Sequence, residues 1–120
     1  MRNPVDIVDD QIMAYRARDA AAFAACYEED AVCAVLGSGE CLARGRAEIE
    51  ARWGADFRTG LDSLEITERI LAGRFVIDVE QVRFEGETMK RAIAIYQTGP
   101  EQIRHVWFVF DPGFRDPGAE

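Results

Sequence analysis

The stretch that decides the fold is Leu61 to Phe110, LDSLEITERILAGRFVIDVEQVRFEGETMKRAIAIYQTGPEQIRHVWFVF. It is rich in Val, Ile, Phe, Tyr and Trp, and turn residues break it at Ala72-Gly73, at Glu85-Gly86-Glu87 and at Thr98-Gly99-Pro100. Four long strands are expected, over 61–71, 74–84, 87–97 and 102–110. Tight turns between consecutive strands make them adjacent and antiparallel.

Upstream of this block the pattern is helical. Asn3 before Pro4 is an N-cap and first-turn signal, and Val5, Val8, Ile12 and Tyr15 then recur at helical spacing, which predicts a helix to about Arg18. Asp19 can cap a second, alanine-rich helix with Ala22, Phe23, Cys26 and Tyr27 on one face. The apolar run Ala31 to Leu36, the turn Gly37-Ser38-Gly39 and Glu40 to Ala43 read as a β-hairpin. Gly45 ends the hairpin and a third helix follows, with Ile49, Trp53 and Phe57 on one stripe and Gly60 beyond its end. Helices in the front half and a meandering sheet behind them predict an α+β domain. Residues 1–110 are read as that single domain, and 111–120, with two Pro-Gly pairs, as a loose tail.

Composition narrows the partners. The 120 residues suit one domain with a real core. A formal net charge of -8, from 22 acidic and 14 basic residues, opposes binding to phosphate backbones or anionic lipid, so neither nucleic acid nor membrane is expected. The N-terminal MRNPVDIVDD lacks the apolar core of a signal peptide, and no stretch approaches a membrane span, which points to a cytoplasmic protein. Three cysteines without CxxC spacing and a single histidine argue for reduced thiols and against a metal site. Cys33 and Cys41 could still face each other across the hairpin. No nucleotide fingerprint is present, and no cofactor is expected.

Both faces of the last three strands are apolar. Ile77, Val79, Ile93, Ile95, Val106, Phe108 and Phe110 are read as one set, opposed by Val76, Val82, Tyr96, Trp107 and Val109. A contiguous apolar face of that size is seldom left in water, so a homodimer through the outer sheet face is expected.

The order of elements, with AYRARDAAAFAACYEEDAV, GRAEIEARW and IRHVWFVF at their positions, resembles the nuclear transport factor 2-like superfamily, in particular its SnoaL-like and ketosteroid-isomerase-like branch of small bacterial proteins. The resemblance spans residues 4 to 110. It implies a cone: three helices closing a curved, mostly antiparallel six-stranded sheet around a pocket. It does not carry a function, because the superfamily holds isomerases, cyclases, dehydratases and proteins without chemistry. The isomerases' general-base aspartate falls at Val35, their oxyanion-hole tyrosine at Gln11 and their protonated aspartic acid at Ala94. None of the three is present, so steroid isomerisation in its family form is not available. Trp53 takes the place of a supporting pocket tyrosine.

The same alignment places Asp78 and Glu80 where the isomerases have apolar pocket residues, and strand alternation independently puts both carboxylates on one face. It also makes Ile103, His105, Trp107 and Val109 the pocket face of the last strand. If the hairpins pair symmetrically about their turns, Asp78, Ala94 and His105 form one row and Glu80, Ala92 and Trp107 the next. Asp78 and His105 would then be an acid–base pair assisted by Glu80. Gln11 and Tyr15 would offer hydrogen bonds, and Val35, Trp53, Phe57, Ala94 and Trp107 would line the cavity around a small, apolar, oxygenated molecule. An equally concrete reading makes His105 a satisfied core residue and pairs the carboxylates with arginines such as Arg91 or Arg104. The expected activity is a cofactor-free isomerisation, dehydration or cyclisation, with a non-catalytic ligand-binding dimer as the alternative.

Overall fold

Asn3 accepts a hydrogen bond from the Val5 amide and starts α1 (Pro4–Arg16), and Asp19 does the same for Ala22 at the head of α2 (Ala20–Ala25). A computed structural model describes residues 1–112 and adds β1 (Tyr27–Val35), β2 (Cys41–Arg44), α3 (Arg46–Arg58), β3 (Leu61–Ala72), β4 (Phe75–Phe84), β5 (Lys90–Thr98) and β6 (Ile103–Phe110). The six strands run in the order β2-β1-β6-β5-β4-β3, antiparallel except where β1 meets β6. Three helices on one face of a curved, mostly antiparallel sheet make the expected α+β architecture. No described helix is long and apolar enough to cross a membrane. The expected loose tail lies largely outside the described residues.

The second helix is shorter than its alanine run suggests. Tyr27, assigned to that helix by periodicity, instead opens β1, because a parallel partner is waiting: Tyr27 lies opposite Ile103, and the Ile103 amide donates to the Cys26 carbonyl at 2.9 Å. Arg46 fixes the same point by donating from Nε and Nη2 to the Tyr27 carbonyl at 3.0 and 2.8 Å. Strand pairing and a buried ring outweigh alanine's helix propensity here. Gly45, with φ 87° and ψ 156°, then turns the chain from β2 into α3. Few residues other than glycine adopt that conformation.

The symmetric row across the sheet is not formed. Asp78 does lie opposite Ala94, and Glu80 opposite Ala92, but Ala94 lies opposite Phe108 rather than His105. Two shifts add up: Thr98 pairs with Ile103, so the turn is two residues longer on the β6 side than symmetric pairing assumes, and a bulge between this pair and Gln97–His105 leaves Arg104 as an extra residue in β6. Because side chains alternate with period two, one extra residue turns every later side chain over. Val106 and Phe108 are therefore buried inside, with Phe110 on the same face, and His105, Trp107 and Val109 face outward. The outer apolar set becomes Ile77, Val79, Ile93, Ile95, Trp107 and Val109, and it stays partly exposed.

The core lies between the helices and the inner sheet face. Phe23 is its hub, with ring centroids 5.3 to 5.9 Å from Tyr15, Tyr27, Trp53 and Phe57. In the β1–β2 hairpin Cys33 lies opposite Ala43 and Cys41 opposite Ala34, one buried and one exposed, so the two cysteines are not cross-strand partners.

Candidate functional site

Two small, partly open cavities lie where the helices meet the inner sheet face. One, of about 40 Å³, is bounded by Tyr15, Trp53, Asp56, Glu80, Ala92, Phe108 and Phe110 among others. The other, of about 20 Å³, is bounded by Gln11, Tyr15, Phe23, Tyr27, Trp53, Glu80, Tyr96 and Phe108 among others. Tyr15, Trp53, Glu80 and Phe108 line both. Each space holds roughly one to a few waters.

Glu80 is the chemical centre of this region. It is 7% exposed, and the Tyr96 hydroxyl donates to its Oε2 at 2.9 Å. Burial pushes its carboxyl up to about 7, an effect that Asp78 reinforces and that the Tyr96 bond and Arg69 oppose. A carboxyl balanced at neutrality beside an aromatic cavity can both give and take a proton. Tyr15 is pushed well above the usual phenol range, first by burial and then by the charges of Glu80 and Asp56, so its hydroxyl stays protonated and can donate.

Gln11 is 2% exposed and lines the smaller cavity, one turn from Tyr15. Its Oε1 is buried with no hydrogen-bond partner among the described residues. The buried atom left unpaired is thus an acceptor.

Asp78 is fully buried but is already occupied. Arg69 of β3 donates to it from Nε and Nη2 at 2.7 and 2.9 Å and reaches the surface Asp9 with Nη1 at 2.8 Å. The fork holds Asp78 in a bidentate pair and raises Arg69 above its ordinary range. Asp78 lines neither inner cavity. The partner is Arg69, not the Arg91 or Arg104 that the alternative reading named: Arg91 pairs with Asp111 and Arg104 with Glu28.

His105 does not meet Asp78. It stands on the outer face, its ring stacked on Trp107 with centroids 3.9 Å apart, and burial followed by the charge of Arg44 lowers its pKa. His105 and Trp107 line a groove of about 330 Å³ on the outside, shared with Arg44 and Cys41, and Val35 borders it from the inner face, where it lies opposite Phe108 and packs against the core. The acid–base pair and the Trp107 wall expected from symmetric pairing are therefore absent from the interior. Ala94 and Phe57 are buried in the core without lining either cavity, Phe57 edge-on to Tyr15 at 5.2 Å. Of the expected site residues, Glu80, Gln11, Tyr15 and Trp53 are brought together. Tyr96, Tyr27, Asp56 and Phe108 join them without having been singled out. Tyr96 shares the inner face of β5 with Ala92 and Ala94, so alternation alone could have nominated it. Among the described residues no group of three His, Cys, Asp or Glu side chains is placed to hold a metal ion.

Comparison with known proteins bears on the fold. No family model matches the chain, and no curated protein matches it by sequence. Among solved structures, an NTF2-like protein of unknown function from Burkholderia xenovorans superposes with a TM-score of 0.75 at 20% identity, covering 98% of this chain and 93% of its own. A protein with a ketosteroid isomerase-like fold from Catenulispora acidiphila, solved in complex with trimethylamine, gives 0.70 at 18% identity over 88% of this chain and 85% of its own. A SnoaL-like protein from Shewanella denitrificans gives 0.74 at 14% identity over 90% of both chains. With the helix order and the parallel β1–β6 contact, these likenesses establish that the chain has the nuclear transport factor 2-like fold.

Proposed function

We propose that this chain is a small-molecule pocket protein in which Glu80 exchanges a proton with a compact, mostly apolar bound molecule, without a cofactor. The observation that carries the reading is the Glu80 carboxyl itself: buried, bonded to Tyr96, poised near neutrality and shared by both cavities. As carboxylate it takes a proton from one position of the bound molecule, and as carboxylic acid it returns the proton to another. The net result is an isomerisation with no change in oxidation state. Where the returned proton leaves with a hydroxyl, the result is a dehydration. Tyr15 supplies a neutral donor to a developing oxyanion, and Trp53 and Phe108 form the apolar walls. The cavities favour a compact ligand, and the trimethylamine held by the Catenulispora protein is an instance of one in this fold.

The test reads proton transfer without knowing the product. A panel of small cyclic ketones is incubated with the protein in D₂O, and loss of the α-proton signals is followed by NMR. Accelerated exchange that falls about a hundredfold or more in Glu80→Gln supports the reading. Binding without exchange by any member of the panel would leave the non-catalytic alternative, a hydrophobic-ligand-binding protein. In either case the partly exposed apolar outer face supports a homodimer through the sheet.

A further inference from the structure

We propose that the ligand of this pocket is a small protonated amine, its ammonium group seated between Glu80 and Gln11 inside the aromatic walls. The inference rests on the reading of the Glu80 cavities as the ligand site and adds the chemical class. Three features converge on a cation. First, the two cavities carry the acidic residues Glu80 and Asp56 and no lysine or arginine among their described lining residues. The nearby Arg69 has turned its fork to Asp78 and Asp9. Second, Gln11 presents a buried, unpartnered carbonyl oxygen. An ammonium brings the donor that this oxygen lacks and two more for a carboxylate. Third, Tyr15, Phe23, Tyr27 and Trp53 offer π-faces around the same small space, the walls that cages for organic cations use. A neutral apolar ligand would use only the third feature.

The discriminating experiment compares two small probes of similar shape, methylammonium and methanol, titrated into the full chain at pH 8 and 150 mM salt. At this pH the alkylamine is protonated and Glu80 is largely ionised. The readout is the indole N–H resonance of each tryptophan. Trp53 lines both cavities and Trp107 stands on the outer face, so Trp107 reports non-specific attraction to an acidic surface. The expected result is a saturable shift of Trp53 alone, with the ammonium binding at least about tenfold more tightly than the alcohol. Glu80→Gln should abolish that preference, and Gln11→Leu should reduce it several-fold. If the alcohol binds as well as the ammonium, the amine assignment is wrong while the pocket reading stands. If neither probe moves Trp53, the pocket reading falls and this inference falls with it.

Discussion

At the scale of single residues, the burial of Glu80 sets both its chemistry and its cost. Its folded pKa of about 7 lies above the 4.5 of an ordinary carboxyl, so the native state favours the protonated form. The stability this contributes is complete below about pH 4.5 and is lost as pH rises through about 7. On the alkaline side the buried carboxylate costs on the order of 3 kcal/mol. The Glu80→Gln variant, which cannot ionise, should therefore match the wild type near pH 4.5 and exceed its stability by up to about 3 kcal/mol at pH 8, as read by urea unfolding at both values. Alternation along β4 was enough to place Asp78 and Glu80 together on the inner face. Their separate fates were not visible in β4 alone. Asp78 is taken by Arg69, its cross-strand neighbour about the Gly73 turn, a pairing that hairpin symmetry could have nominated. Glu80 is met by Tyr96, which is not its neighbour in register and reaches it by the length of a tyrosine side chain.

At the scale of elements, glycines marked the boundaries well and a hidden insertion set the greatest error. Gly45 is the joint between β2 and α3, at a φ of 87° that side chains with a Cβ rarely adopt. Gly45→Ala should destabilise the fold by about 1 to 3 kcal/mol, and thermal unfolding at pH 5 checks it. The strand breaks at Gly73, Gly86 and Gly99 were legible for the same reason: glycine and its neighbours announce a turn in the sequence itself. The bulge at Arg104 has no such marker. It depends on how β5 and β6 settle against each other, with Arg104 turned outward to Glu28 at 3.2 and 3.3 Å. The early end of α2 is similar in kind, since Ile103 and Arg46, both distant in sequence, hold Tyr27 in a strand.

At the scale of the whole molecule, the sheet has one face closed by helices and one face still partly open. The fold was readable because its evidence is distributed: many turns, two periodicities and one order of elements all agree. The site was only partly readable because it depends on a few side chains whose orientation one residue can reverse. The outer face, with Ile77, Val79, Ile93, Ile95, Trp107 and Val109, supports the proposal of a dimer. Sedimentation at tens of micromolar should give twice the 13.5 kDa of one chain, and Ile95→Glu, at the position opposite Trp107, should return it to one. A monomeric wild type would remove the dimer without touching the Glu80 pocket.

The bulge in β6 gives this fold a tolerance to a change of length. With Arg104 in place the interior receives Val106 and Phe108 and the outside receives His105 and Trp107. Paired regularly through Arg104, the same residues would exchange the two sets as a block. Loss of that one residue would instead leave Ile103 and His105 consecutive opposite Thr98 and Gln97 and every later side chain on its present face, so a related gene shorter by this single codon would encode the same inner wall.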